Sequence, residues 1–216
     1  ENDVIYIAGD IVHAKTDMSP ELIGITSEFF TNLADILPTI IILGNHDCNL
    51  NNSYRLDALS PIVKALNHQR LHYLKDNGIY CISGVHFNVM SVCDKPIDYI
   101  RADSFDGDYK IALHHGSVHN ASTDAGFTLS NTHVTTTMFD GHDLVLLGDI
   151  HKPQYLNDEK TIAYAGSLIQ QNHGEALGHG IMVWDLESKA CEFVDIPNDY
   201  GYYTYHIEDG KIMNPS

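Results

Sequence analysis

The sequence predicts an α/β fold, and three observations carry that expectation. Ile40, Ile41, Ile42 and Leu43 form an unbroken aliphatic run, which reads as a strand buried on both faces. An earlier apolar run at residues 4–8 and a helical pattern at 20–37 complete a strand–helix–strand unit, so both strands belong in one sheet as a parallel crossover. Finally, several apolar runs stop abruptly at polar residues of ligand type. Open α/β sheets bind their ligands at the carboxyl ends of strands.

The elements follow in order. Residues 4–8 read as a strand that delivers Gly9, Asp10, Ile11, Val12 and His13 at its end. A buried strand this near residue 1 predicts a chain whose opening lies upstream. Ser19 is placed to cap a helix, with Pro20 at its first position. Leu22, Ile25, Phe29, Leu33 and Ile36 recur at helical spacing and are the expected buried stripe, ending near Leu37 and Pro38. Ser60 and Pro61 open a second, shorter helix to about Leu66. Residues 71–74, 79–83 and 85–92 read as strands, with Asp76, Asn77 and Gly78 as a hairpin turn. After a polar connector at 93–108, residues 111–113 make a brief strand ending in His114, His115 and Gly116. Residues 117–140 read as loop with one short helix, and residues 144–147 as a buried strand ending in Gly148, Asp149, Ile150 and His151. Further strands are expected at 161–165, 180–186 and 192–196, the last as a core strand. The loop 166–175 separates the first two, and 198–216 loses the core pattern. The domain is therefore expected to span 1–197, with 198–216 as an exit segment toward a capping or partner-binding region.

Composition narrows the function classes. The formal net charge is −17, from 29 acidic and 12 basic residues, the reverse of a general nucleic-acid-binding surface. If the chain handles nucleic acid, cations or a partner must supply much of the attraction. No apolar run approaches the ~20 residues of a membrane span, and the first residues lack the basic flank of a signal peptide. Cys48, Cys81, Cys93 and Cys191 show no C-x-x-C spacing, so free thiols in a cytoplasmic, reducing setting are expected.

Four strands thus end in polar residues: Asp10 with His13; Asn45, His46 and Asp47; His114 with His115; Asp149 with His151. One such end alone is better explained as an Asx turn or a satisfied core histidine. Four in one domain point to a shared site. Carboxylate, amide and imidazole donors together suit manganese, iron or zinc. Two cations about 3.5–4 Å apart would suit displacement at phosphorus.

Gly9-Asp10, Gly44-Asn45-His46-Asp47, Leu113-His114-His115-Gly116 and Gly148-Asp149-Ile150-His151 resemble, in order, the later motifs of calcineurin-like metallophosphoesterases. Lys152-Pro153-Gln154 and Tyr164-Ala165-Gly166-Ser167 narrow the resemblance to the SbcD branch, the DNA-repair nucleases that include the meiotic recombination 11 proteins. The resemblance implies a four-layer αββα sandwich of two mixed β-sheets flanked by helices. It also implies two divalent metal ions, manganese (Mn2+) first, with magnesium, iron or zinc as alternatives. Carried over position by position, Asp10 would bridge the metals, Asn45 and His114 would bind the second, and His151 the first. His46, held by Asp47, would stabilise the transition state or protonate the leaving oxygen, and His13 would orient the phosphate. His115 would sit behind the ligands, and Ser167 and Gln170 would approach the substrate backbone.

Two departures qualify this. The family's opening Asp-x-His is absent, and Asp140-Gly141-His142, which has its letters, precedes its strand and cannot replace it. Asp149 stands where the family has histidine; it is expected to ligate and to favour harder ions. The implied function is a DNA phosphodiesterase partnered by a coiled-coil SbcC-like ATPase, with a homodimer also compatible; a virus- or phage-encoded chain would suit the divergent motifs. The alternatives are a phosphoesterase for small substrates or phosphoproteins, and a scaffold with an incomplete metal site.

Overall fold

Side chains of successive strand residues point to opposite faces, and the aliphatic run at 40–43 uses both. In the computed structural model, which describes residues 3–52 and 54–215, β1 (Ile5–Ile7), α1 (Pro20–Ile36) and β2 (Thr39–Ile42) form the parallel strand–helix–strand unit. α2 (Ser60–Leu66) then leads to β3 (Leu71–Leu74), parallel to β2 on its other side. These strands make a three-stranded parallel sheet in the order β1-β2-β3.

The second sheet contains β4 (Gly78–Ile82), β5 (Val85–Met90), β6 (Lys110–His115), β7 (Leu144–Gly148), β8 (Gln154–Tyr155) and β9 (Ile162–Tyr164). Its order is β4-β5-β6-β7-β9-β8, parallel in the middle with an antiparallel strand at each edge. Ile40 and Ile42 pack against Phe87, Val89, Ile111, Leu113 and Leu144 between the sheets, while Ile41 faces Phe30, Ala34, Leu59 and Ile62 under the helices. The chain is an α/β sandwich of two sheets, with helices on the outer face of the first. The outer face of the second, with Ala112, Val145, Leu147 and Tyr164, is covered by Tyr99, Phe139 and other connector residues. Among the described residues that cover is loop and 3-10 turns (Pro96–Asp98, Ala102–Ser104, Thr136–Phe139), not α-helix.

Several elements differ from the sequence expectation. Ser19 does cap α1, its hydroxyl accepting from the Leu22 N–H at 3.2 Å. The buried row, however, is Thr26, Phe30 and Ala34, leaving Ile25 and Ile36 each 66% exposed. Neighbouring residues differ by about 100° around a helix, so a one-position change in the row turns the helix. Small Thr26 and Ala34 beside Phe30 fit a close helix–sheet contact, which the bulkier stripe does not provide. Asp76, Asn77 and Gly78 do not close a hairpin, because β3 and β4 lie in different sheets. The hairpin joins β4 to β5 through Ser83 and Gly84, at φ 52° and 80°. Positive φ at both central residues is what a two-residue turn of matching twist requires. β8 was not expected. β10 (Gly180–Trp184) and β11 (Cys191–Asp195) pair as a separate hairpin; no β11 residue is buried and Val194 is 38% exposed, so the last of these is not a core strand. β12 (Tyr205–Glu208) and β13 (Lys211–Pro215) form another hairpin inside the 198–216 segment. No helix among the described residues is long and apolar enough to cross a membrane.

The start of α2 depends on Asp57. Its buried carboxylate accepts from the Leu59 and Ser60 N–H groups at 3.0 and 2.7 Å, from the Ser60 and Tyr73 hydroxyls at 2.6 and 3.0 Å, and from Lys75 Nζ at 3.4 Å. Burial pulls this carboxyl upward, but the donors of Ser60 and Tyr73 and the Lys75 charge outweigh it and hold it below its ordinary value. A depressed folded-state pKa adds stability above the unfolded value of about 3.9, and that stability is lost as pH falls through the folded value. Asp57→Ala is therefore expected to lower unfolding free energy by about 1–3 kcal/mol at pH 7. In urea titrations the gap from wild type should narrow below about pH 4; a gap independent of pH would contradict the assignment.

Candidate metal centre

The site lies where β1 and β2 of one sheet meet β6 and β7 of the other. Glycines allow that approach. A Cβ on Gly9 would lie 2.7 Å from His115 Nδ1, one on Gly44 would collide with the Asp10 backbone, and one on Gly148 with the Ala8 carbonyl. Beyond these glycines the chain turns sharply, and Asp10 and Asp149 adopt positive φ, 55° and 98°. Such conformations cost on the order of 1–3 kcal/mol in a residue with a side chain and tend to occur at functional sites.

Asp10, His115 and Asp149 offer ligand atoms that all lie within 4.8 Å of one another. His115 Nε2 is 3.4 Å from Asp10 Oδ2, 3.9 Å from Asp149 Oδ1 and 3.3 Å from Asn45 Oδ1. Asn45 thus supplies a fourth donor. The other ring nitrogen, Nδ1, donates to the Ala8 carbonyl at 2.6 Å and aims Nε2 into the cluster. That is the arrangement of a metal-binding histidine, whose second nitrogen is held by a neighbouring acceptor. Ligand atoms bonded at about 2.1 Å to one cation lie roughly 3–3.4 Å apart, close to the separations from Nε2. Two carboxylates, an amide oxygen and an imidazole fit a divalent ion of the manganese type in both charge and hardness.

The surrounding contacts hold these groups in place. Asp10 Oδ1 accepts from the His46 N–H at 2.8 Å, and Ser117 Oγ donates to Asp149 Oδ2 at 2.8 Å. Burial works against charge on both Asp10 and His115, but their mutual hydrogen bond and attraction prevail: the carboxyl is held below its ordinary value and the imidazole above. Fully buried Asp47 accepts from the N–H groups of Asp10 and Gly44, both at 2.9 Å, and of Val12 at 3.1 Å. Burial pushes its carboxyl up to about 6 against the pull of those donors. Asp47 therefore ties the β1 and β2 loops together and does not hold the His46 ring. That ring instead donates from Nδ1 to the His13 carbonyl at 3.1 Å and stacks on the His13 ring, centroids 4.8 Å apart.

Other expected residues lie elsewhere. His114 is outside the cluster: its Nδ1 donates to the Met90 carbonyl at 2.8 Å, its ring lies beside Tyr99 and Phe139, and burial pushes it down to about 4. The positions of His114 and His115 are thus the reverse of the expectation, for a reason of strand parity. Along β6, Ile111 and Leu113 face the layer between the sheets and Ala112 faces outward, so His115 falls inside and His114 outside. His151 is not grouped with the three ligands; its Nδ1 donates to Glu175 Oε1 at 2.8 Å. Ser167 Oγ bonds the Ile169 carbonyl and His179, and Gln170 bonds the Glu175 carbonyl and the Tyr202 N–H, so both brace their own loop. Three residues were missed: Ser117, Glu175, and Lys15, whose Nζ donates to the Asn45 carbonyl at 3.1 Å. Spacing offers a weak signal for two of them, since Ser117 and Lys15 each follow a site histidine by two positions.

A family model described as calcineurin-like phosphoesterase matches residues 1–153, a range that includes all four clustered donors. The chain is also 48% identical over 224 residues to the uncharacterized protein R555 of Acanthamoeba polyphaga mimivirus, an alignment covering 98% of this chain and 16% of that protein. It thus spans about a sixth of the length of that curated relative.

Proposed function

The chain belongs to the calcineurin-like phosphoesterase family, and from that premise we propose that it hydrolyses phosphoesters at a divalent cation held by Asp10, Asn45, His115 and Asp149. One observation carries the reading: strand ends from both sheets bring three oxygen donors within 3.9 Å of a single imidazole nitrogen. What a divalent cation supplies when bound is Lewis acidity, toward a phosphoryl oxygen and toward water. The chain supplies orientation and a proton. His46 has its Nδ1 committed to the His13 carbonyl, which leaves Nε2 to exchange a proton with the leaving oxygen. His13, stacked against it and exposed, is placed to meet the phosphate.

The finer reading is a two-metal DNA phosphodiesterase working with a coiled-coil ATPase. It is supported by the order of the motifs and by Lys152-Pro153-Gln154 after His151. The single cluster among the described residues supports one cation, and the net charge of −17 gives DNA little unaided attraction. The test is to load the protein with manganese, count bound ions, and assay bis(4-nitrophenyl) phosphate, 4-nitrophenyl phosphate and linear DNA. Manganese-dependent hydrolysis of either nitrophenyl ester is the expected result. Cleavage of the diester and of DNA supports the finer reading, and preference for the monoester a phosphatase for small substrates or phosphoproteins. Bound manganese without turnover on any substrate would refute hydrolysis and leave a metal-binding scaffold.

A further inference from the structure

The loop following β9 carries a carboxylate that fits no surface role. Glu175 has a side chain only 6% exposed, and no lysine or arginine among the described residues pairs with it. Oε1 accepts from His151 Nδ1 at 2.8 Å and from Asn172 Nδ2 at 2.7 Å, and Oε2 accepts from the Gln171 N–H at 2.6 Å. The Glu175 carbonyl accepts from Gln170 Nε2 at 2.9 Å, and Gln170 Oε1 in turn accepts from the Tyr202 N–H at 2.7 Å. The loop also docks on the His151 backbone, where the Ser167 N–H donates to its carbonyl at 3.3 Å. His151 is therefore gripped at both main chain and ring by one segment.

A carboxylate oxygen that accepts this bond requires a proton on His151 Nδ1, and in the neutral ring that places the lone pair on Nε2. Neutral histidine in water prefers the opposite arrangement, with its proton on Nε2. The bond made by one ring nitrogen decides the state of the other, and metal-binding histidines are commonly fixed in this way by an outer carboxylate.

We propose that Glu175 is a positioning residue that locks His151, two residues beyond Asp149, in the Nδ1–H tautomer so that Nε2 serves as a ligand for a divalent cation. The assignment rests on the phosphoesterase reading for its purpose, but not for its first test. In metal-free, 15N-labelled protein at about pH 8, above the ordinary histidine value of about 6.5, long-range 1H–15N spectra report the tautomer directly. The His151 signals are assigned by their loss in His151→Gln. Wild type should show Nδ1–H, and Glu175→Ala should move His151 toward Nε2–H. Glu175→Gln, whose amide oxygen can still accept, should retain the wild-type tautomer. Manganese affinity should fall about 10–100-fold in Glu175→Ala, and recover in Glu175→Gln. An Nε2–H tautomer in wild type overturns the proposal even if no variant folds. So does an unchanged tautomer or unchanged manganese affinity in folded Glu175→Ala. Failure of the protein to hydrolyse any phosphoester would sink the hydrolase reading and leave the tautomer result intact.

Discussion

His115→Ala should abolish manganese binding at the centre, while His114→Ala leaves it within a few-fold of wild type. The contrast follows from geometry. His115 Nε2 lies 3.3–3.9 Å from all three oxygen donors, whereas His114 bonds the Met90 carbonyl on the outer side of β6. Removing an outer partner of a metal site costs about 10–100-fold in affinity, and removing a donor should cost more. His114→Ala should instead act on the fold. It empties space beside Tyr99 and Phe139 and removes the ring's hydrogen bond to the Met90 carbonyl, for a loss of about 1–3 kcal/mol. Manganese titration followed by calorimetry, alongside urea unfolding of both variants, separates the two effects. If His114→Ala lost the metal and His115→Ala kept it, the centre would be wrongly drawn.

His46→Ala should lower kcat by about 10²–10⁴-fold, the usual contribution of a positioned general acid or base, without changing the number of ions bound. Its ring makes a hydrogen bond to the His13 carbonyl and a stacking contact, and it supplies none of the clustered donors. The loss should depend on the leaving group. A nitrophenolate departs readily without a proton, so its ester should suffer less than an alkyl ester, whose oxygen needs one. Equal losses on both esters would argue that the imidazole acts on the phosphoryl group and does not protonate the leaving oxygen.

Much of the site is legible in the sequence, and the part that is not can be traced to particular residues. Asp10, Asn45 and Asp149 were identified because each directly follows an apolar strand and a glycine. His115 was passed over in favour of its neighbour because two adjacent histidines differ only in which face of the strand they occupy. The alternation of Ile111, Ala112 and Leu113 already held the answer, once the inner face of β6 is known. Asp47 was expected to hold the imidazole next to it. Three backbone N–H groups from two loops take its carboxylate instead, a convergence that adjacency in sequence does not reveal. The bond between Glu175 and His151 spans 24 residues and lies in an irregular loop without periodicity.

Local chemistry, then, was enough to establish the strand–helix–strand unit, the Ser19 cap, the burial of β2 on both faces and the polar residues at four strand ends. These depend on neighbours within a turn or a strand, whose preferences survive without the rest of the chain. The rotation of α1, the passage of the chain from β3 to the second sheet at Gly78, and the choice of His115 over His114 were decided only when the two sheets packed. Each depends on which face meets which partner, and that is a property of layers in contact that no single segment carries alone.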